Sequence, residues 1–126
     1  MSRARDFADL GSSVDAGGLT GRNLFINGAM QVAQRGTSST ASGMNTVDRF
    51  EVTFSGMNQL AATQSQSTTV PSGQGFSNSL KVEVTTAENT LAITELFRII
   101  QRIEAQNLQH LAFGSSSAKP LTLSFW

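Results

Sequence analysis

At 126 residues the chain is long enough for one domain and too short for two. Its nine basic and nine acidic side chains cancel, so no broad field draws it onto nucleic acid or an anionic membrane. It has no cysteine, which rules out disulfide frameworks and thiolate metal sites.

Charged residues make up 14% of the chain, against ~25% in an average soluble protein, and Ser, Thr, Gly, Asn and Gln fill the gap. That mixture suits short strands joined by small polar turns. No apolar run approaches the ~18 to 20 residues that span a bilayer. The opening "MSRARDFADLG" lacks the apolar stretch of a signal peptide, so synthesis in a cytoplasm without membrane insertion is expected.

In chain order, "SRARDFADL" could form two helical turns, with Phe7 and Leu10 on one side and Arg3, Arg5, Asp6 and Asp9 around them. Alone, so short a helix is marginal. The glycines at 11, 17, 18 and 21 then mark an extended linker. Residues 1–21 are therefore expected to be an extended or short-helical arm. Arg3, Arg5, Phe7 and Leu10 are its docking candidates, and a disordered tail is the competing reading.

From Arg22 the texture changes. "RNLFINGAMQVAQRGTSS" predicts a strand with a bend, Leu24 and Ile26 sharing a face before a turn at Asn27 and Gly28, then Met30 and Val32. "VDRFEVTF" alternates cleanly, placing Phe50, Val52 and Phe54 inward and Arg49, Glu51 and Thr53 outward. "NQLAATQSQ" follows as a weaker partner through Leu60 and Ala62, joined to it by a hairpin turn at "SGMN". "VPSGQGFSNS" is a loop by its Pro, Gly and Ser content, and "SLKVEVTT" is a half-buried strand through Leu80, Val82 and Val84.

The stretch Leu91 to Leu111 fits two periods. Ile93, Leu96, Phe97, Ile100, Ile103 and Leu111 fit a helical face, while Phe97, Ile99 and Ile103 fit alternation with β-branched residues crowded among them. "GSSSAKP" is a loop, and "LTLSFW" reads as a last strand with Leu121, Leu123 and Phe125 on one face. Roughly six strands at this spacing predict an all-β sandwich, fewer than the eight strands of a full jelly roll. A chain that stops on Phe125 and Trp126 suggests that polypeptide follows or that another chain covers them.

Residues suited to chemistry are sparse. His110 is the sole histidine, and zinc sites need three or four ligands. Asp48 and Glu104 could form a carboxylate pair, but nothing in the sequence brings them together. The serines of "GSSSA" lack the G-x-S-x-G pattern of a hydrolase elbow, and "DAGGLTGRN" lacks the Lys and Ser or Thr of a phosphate loop. Arg98 and Arg102 suit a solvated face. Phe50, Phe54, Phe97 and Phe125 sit at expected core positions, which leaves Phe76, in the loop "SGQGFSN", as the glycan-contact candidate. The chain is expected not to be an enzyme, and no catalytic, metal or cofactor residue is nominated.

"NLFINGAMQVAQRGTSS" followed by "TVDRFEV" resembles a group of bacteriophage tail fibre and virion appendage proteins. These open their main domain with a similar Asn-Leu-x-Ile-Asn-Gly stretch, an Ala-Gln-Arg-Gly-Thr turn and an Asp-Arg-aromatic strand. The likeness continues in "SLKVEV", "QRIEAQNLQHLAFG" and "KPLTLSFW", covering most of Arg22 to Trp126.

The resemblance implies a jelly-roll sandwich like that of carbohydrate-binding modules over residues 22–126, continuing beyond the chain. It makes "FRIIQRIE" a strand and "AQNLQHL" a short turn, which favours a strand over Leu96 to Ile103 and a short helical turn over Glu104 to Leu111. It further implies a structural tail-fibre component located in the virion tail. Its N-terminal arm would dock on other phage tail proteins, its copies would form a homotrimer, and the appendage it begins would meet a host surface glycan. A glycan-binding module acting directly, or a small tail adaptor subunit, are the alternatives.

Overall fold

The computed structural model describes residues 23–126; the docking candidates Arg3, Arg5, Phe7 and Leu10 lie outside them. The described chain forms two compact units, Phe25–Arg102 with Ser124–Trp126 in one and Ile103–Leu123 with residues 23–24 in the other.

The first unit is all-β. It holds β1 (Ser38–Ser39), β2 (Phe50–Ser55), β3 (Ala61–Ser67), β4 (Ser79–Thr86) and β5 (Leu96–Gln101). They form two antiparallel sheets, one ordered β1-β3-β4 and the other pairing β2 with β5. The pairing is nested: β3 and β4 pair in one sheet, while β2 and β5, which flank them in sequence, pair in the other. A long hairpin wound across two sheets in this way is the plan of a jelly roll.

In β2 the alternation of "FEVTFS" sends Phe50 and Val52 inward, leaving them 7% and 1% exposed. Phe25 stacks on Phe50 with ring centroids 6.3 Å apart and planes 5° from parallel. On β3 the inward positions are the small Ala62 and the polar Gln64, both buried. Val47 and Thr46, from the loop before β2, complete the core.

Gln64 can be buried because its carboxamide is fully used. Its Nε2 donates to the carbonyls of Ala41 at 2.6 Å and Gly43 at 3.1 Å, and its Oε1 accepts from the Thr46 hydroxyl at 3.1 Å.

Two expectations about neighbours are corrected. The hairpin between β2 and β3 does not form, since the strands lie in different sheets. Gly56 takes a φ of +78° immediately after β2, and a Cβ there would meet the Thr94 carbonyl at 3.4 Å. A left-handed glycine thus turns the chain out of the β2–β5 sheet instead of doubling it back.

The strand expected over residues 22–36 is replaced by a turn at Ile26–Ala29 and irregular chain. Side chains bind its backbone where a neighbouring strand would have done so. Asn27 holds Val32 through two hydrogen bonds, Gln66 Nε2 donates to the carbonyls of Met30 and Gln31, and Gln101 Nε2 donates to that of Ile26.

The ambiguous stretch resolves into β5 followed by a 3₁₀ helix, Ala105–Leu111, in the second unit. Left-handed Ala112, with a φ of +50°, ends the helix, and Lys119 donates its backbone N–H to the Leu111 carbonyl at 2.9 Å. The last expected strand is absent. Residues 121–126 have no regular structure, and Leu121, Leu123, Phe125 and Trp126 are 55%, 66%, 84% and 79% exposed. Alternation supplies a strand with a face, but a ladder needs a second strand beside it.

Candidate interaction surface

Two segments, "NLFINGAMQVAQRG" and "TVDRFEV", meet in one hydrogen-bonded clasp. Asn27 sits at a φ of +59°, a left-handed conformation that asparagine tolerates better than most side chains. Its Nδ2 donates to the carbonyls of Val32 and Asp48, both at 2.9 Å, and its Oδ1 accepts from the Val32 N–H at 3.0 Å. Asp48 closes the loop: its N–H donates to the Val32 carbonyl at 2.9 Å, and its carboxylate accepts from the Gln34 N–H at 3.2 Å. Arg35 donates to the Met44 carbonyl at 3.3 Å. These residues lock the chain that enters β2.

Other carboxylates are similarly engaged. Glu88 accepts from the Gln59 N–H at 2.8 Å and Glu95 from the Ala92 N–H at 2.7 Å. Glu51 pairs with Arg102 across the two-stranded sheet, Lys81 with Glu83 along β4, and Glu104 accepts from Asn107. Asp48 and Glu104 thus serve separate local networks. Among the described residues no group of three or more His, Cys, Asp or Glu side chains could hold a metal ion. No helix among them is long and apolar enough to cross a membrane.

His110 is half-buried in the last turn of the 3₁₀ helix, and Arg98 stands exposed on β5. Phe76 is half-buried in the loop between β3 and β4, so it presents only part of its ring to solvent.

The prominent surface is apolar, and sequence reasoning missed it by assigning Phe97 and Phe125 to the core. Phe97, expected inside, is 39% exposed, and Phe125, also expected inside, is 84% exposed. On β5, Leu96 and Ile99 are 45% and 54% exposed, and in the loop before it Leu91 and Ile93 reach 71% and 100%. An open groove of about 250 Å³ runs between the sheets here, lined by Met57, Leu60, Val84, Leu91 and Phe97 with Glu88 beside them. Apolar surface that is contiguous across a strand and its adjoining loop marks an interaction face more often than scattered single residues do.

No family model, curated protein or solved structure matches the chain.

Proposed function

We propose that the chain is a structural, non-catalytic component of a bacteriophage tail fibre in the virion. Residues 1–21 attach it to other tail proteins, and its β-sandwich begins an appendage that recognises the host. One observation carries the reading. The Asn-Gly and Asp-Arg segments on which the resemblance rests meet in the Asn27–Asp48 clasp, at the entry to a sandwich wound as a jelly roll. A motif that builds the opening of a fold is what a family of structural domains would share. The exposed apolar rows of β5 add support, because they suit assembly better than solitary existence. Assembled as a homotrimer, the fibre would multiply weak contacts with a surface glycan through effective concentration.

The test is incorporation into particles. Deleting residues 1–21 is expected to leave a folded domain and to abolish its presence in purified virions. Particles that keep the truncated chain at normal copy number would remove the docking role. Glycan-array binding by the chain itself, lost in Phe76→Ala, would instead shift host recognition into this domain.

A further inference from the structure

Two parts of the molecule lack a paired strand among the described residues and complement each other. The first is the outer edge of β5. Val52 on β2 uses both backbone groups on Gly43, its N–H donating at 3.2 Å and its carbonyl accepting at 2.7 Å. Both groups therefore point away from β5, and Val52 faces Ile99 as a non-hydrogen-bonded pair. The N–H and carbonyl of Ile99 must then point outward from the sheet, as must those of Phe97 and Gln101 by alternation. Among the described residues no strand pairs with this edge. The side chains of Phe97 and Ile99 continue the inward row of Val52, yet they are 39% and 54% exposed where that of Val52 is 1% exposed.

The second part is the segment 119–126. It has the strand alternation of Leu121, Leu123 and Phe125, no strand partner among the described residues, and a single charged side chain, Lys119.

We propose that residues 120–126 of a second copy of this chain add to β5 as a parallel strand. Leu121 lies beside Phe97, Leu123 beside Ile99 and Phe125 beside Gln101. Charge selects the direction. In this register Lys119 falls beside Glu95 and near Glu88, where the local charge is negative. An antiparallel strand would bring it beside Arg102.

The backbone agrees with the same register. A parallel ladder connects Phe97, Ile99 and Gln101 to residues 120, 122, 124 and 126 of the incoming strand. Pro120 then contributes only its carbonyl, which accepts from the Phe97 N–H, so its missing N–H leaves none of those outward β5 groups unpaired. The side chains add three apolar residues to the open row, with Leu121 at the mouth of the groove. That groove, at about 250 Å³, is below the ~300 to 1,000 Å³ of small-molecule pockets and suits side chains. A third strand also strengthens a two-stranded sheet, which is marginal by itself. This inference is independent of the tail-fibre reading, since it concerns only how copies of the chain meet.

Light scattering after size exclusion on the full chain tests it. The expected mass at high concentration is an integer multiple, two or more, of 13.4 kDa. Trp126, the only tryptophan, should shift its emission to the red on dilution. Ile99→Asp and Leu123→Asp both change exposed residues, so each should keep the circular dichroism of the fold while weakening association by at least about tenfold.

Because the chain has no cysteine, single thiols report the register. Copies carrying Phe97→Cys should cross-link on oxidation with copies carrying Leu121→Cys in preference to Phe125→Cys. A monomer at every concentration would overturn the proposal. So would an assembly indifferent to both aspartates, a preference for the Phe125→Cys partner, or a monomer whose 121–126 amides resist hydrogen exchange.

Discussion

The carboxamide of Asn27 donates to the main-chain carbonyl of Asp48 at 2.9 Å, across 21 residues of sequence. With the return bond from the Asp48 N–H to Val32, it makes an irregular segment behave as though it had a strand beside it. Phe25 is thereby held in position to stack on Phe50 at the edge of the core.

Asn27 carries both a backbone and a side-chain role, and two substitutions separate them. Asn27→Gly keeps the left-handed backbone and loses the hydrogen bonds, with an expected cost of about 2 kcal/mol. Asn27→Ala adds the strain of a Cβ at positive φ, about 1 kcal/mol more. Urea denaturation of the pair measures the difference, and equal stabilities would refute the strain.

Gln64 is the polar centre of the core. Gln64→Leu leaves the Thr46 hydroxyl, in a site that is 1 to 2% exposed at Thr46 and Gln64, without its partner, while the Ala41 and Gly43 carbonyls each lose one donor and keep those of Asn45 and the Val52 N–H. The expected loss is about 2 kcal/mol despite the more apolar side chain. A midpoint of thermal unfolding at or above that of the parent would show that the network contributes nothing net.

Truncations on the same face of the β2–β5 sheet should differ sharply. Val52→Ala opens a cavity at a fully buried position and should cost about 2 kcal/mol. Ile99→Ala, its cross-strand neighbour, removes an exposed side chain and should cost under about 0.5 kcal/mol in dilute solution. In concentrated solution the latter should lose association as well, which links this prediction to the paired edge.

The Glu51–Arg102 pair crosses the sheet with side chains 22% and 69% exposed. Solvent screens a pair of this kind, so Glu51→Gln should lower stability by less than about 1 kcal/mol. The deficit should shrink further in molar salt. A larger, salt-insensitive loss would mean that Glu51 acts through something other than this pair.

Much of the strand content was legible in the residues. "FEVTFS" and "SLKVEVTT" alternate with a period that only a strand can place on one face, and they form β2 and β4. The crowding of β-branched residues near Ile99, together with the family resemblance, anticipated β5 and the following short helical segment.

Pairing was not legible, because alternation specifies a strand's faces and says nothing about its neighbour. β2 and β3 are adjacent in sequence, yet left-handed Gly56 and the long closure from β4 back to β5 place them in different sheets. The clasp was visible as a motif but not as a clasp. Its geometry depends on a contact across 21 residues, and locally Leu24 and Ile26 still read as a strand face.

Composition and alternation thus determined that this chain is built of strands, and where most of them lie. The tertiary structure alone decided which strands meet, that a glutamine can occupy the core, and that Phe97, Ile99 and Phe125 face solvent. Burial belongs to what stands opposite a side chain, and local sequence carries no record of that.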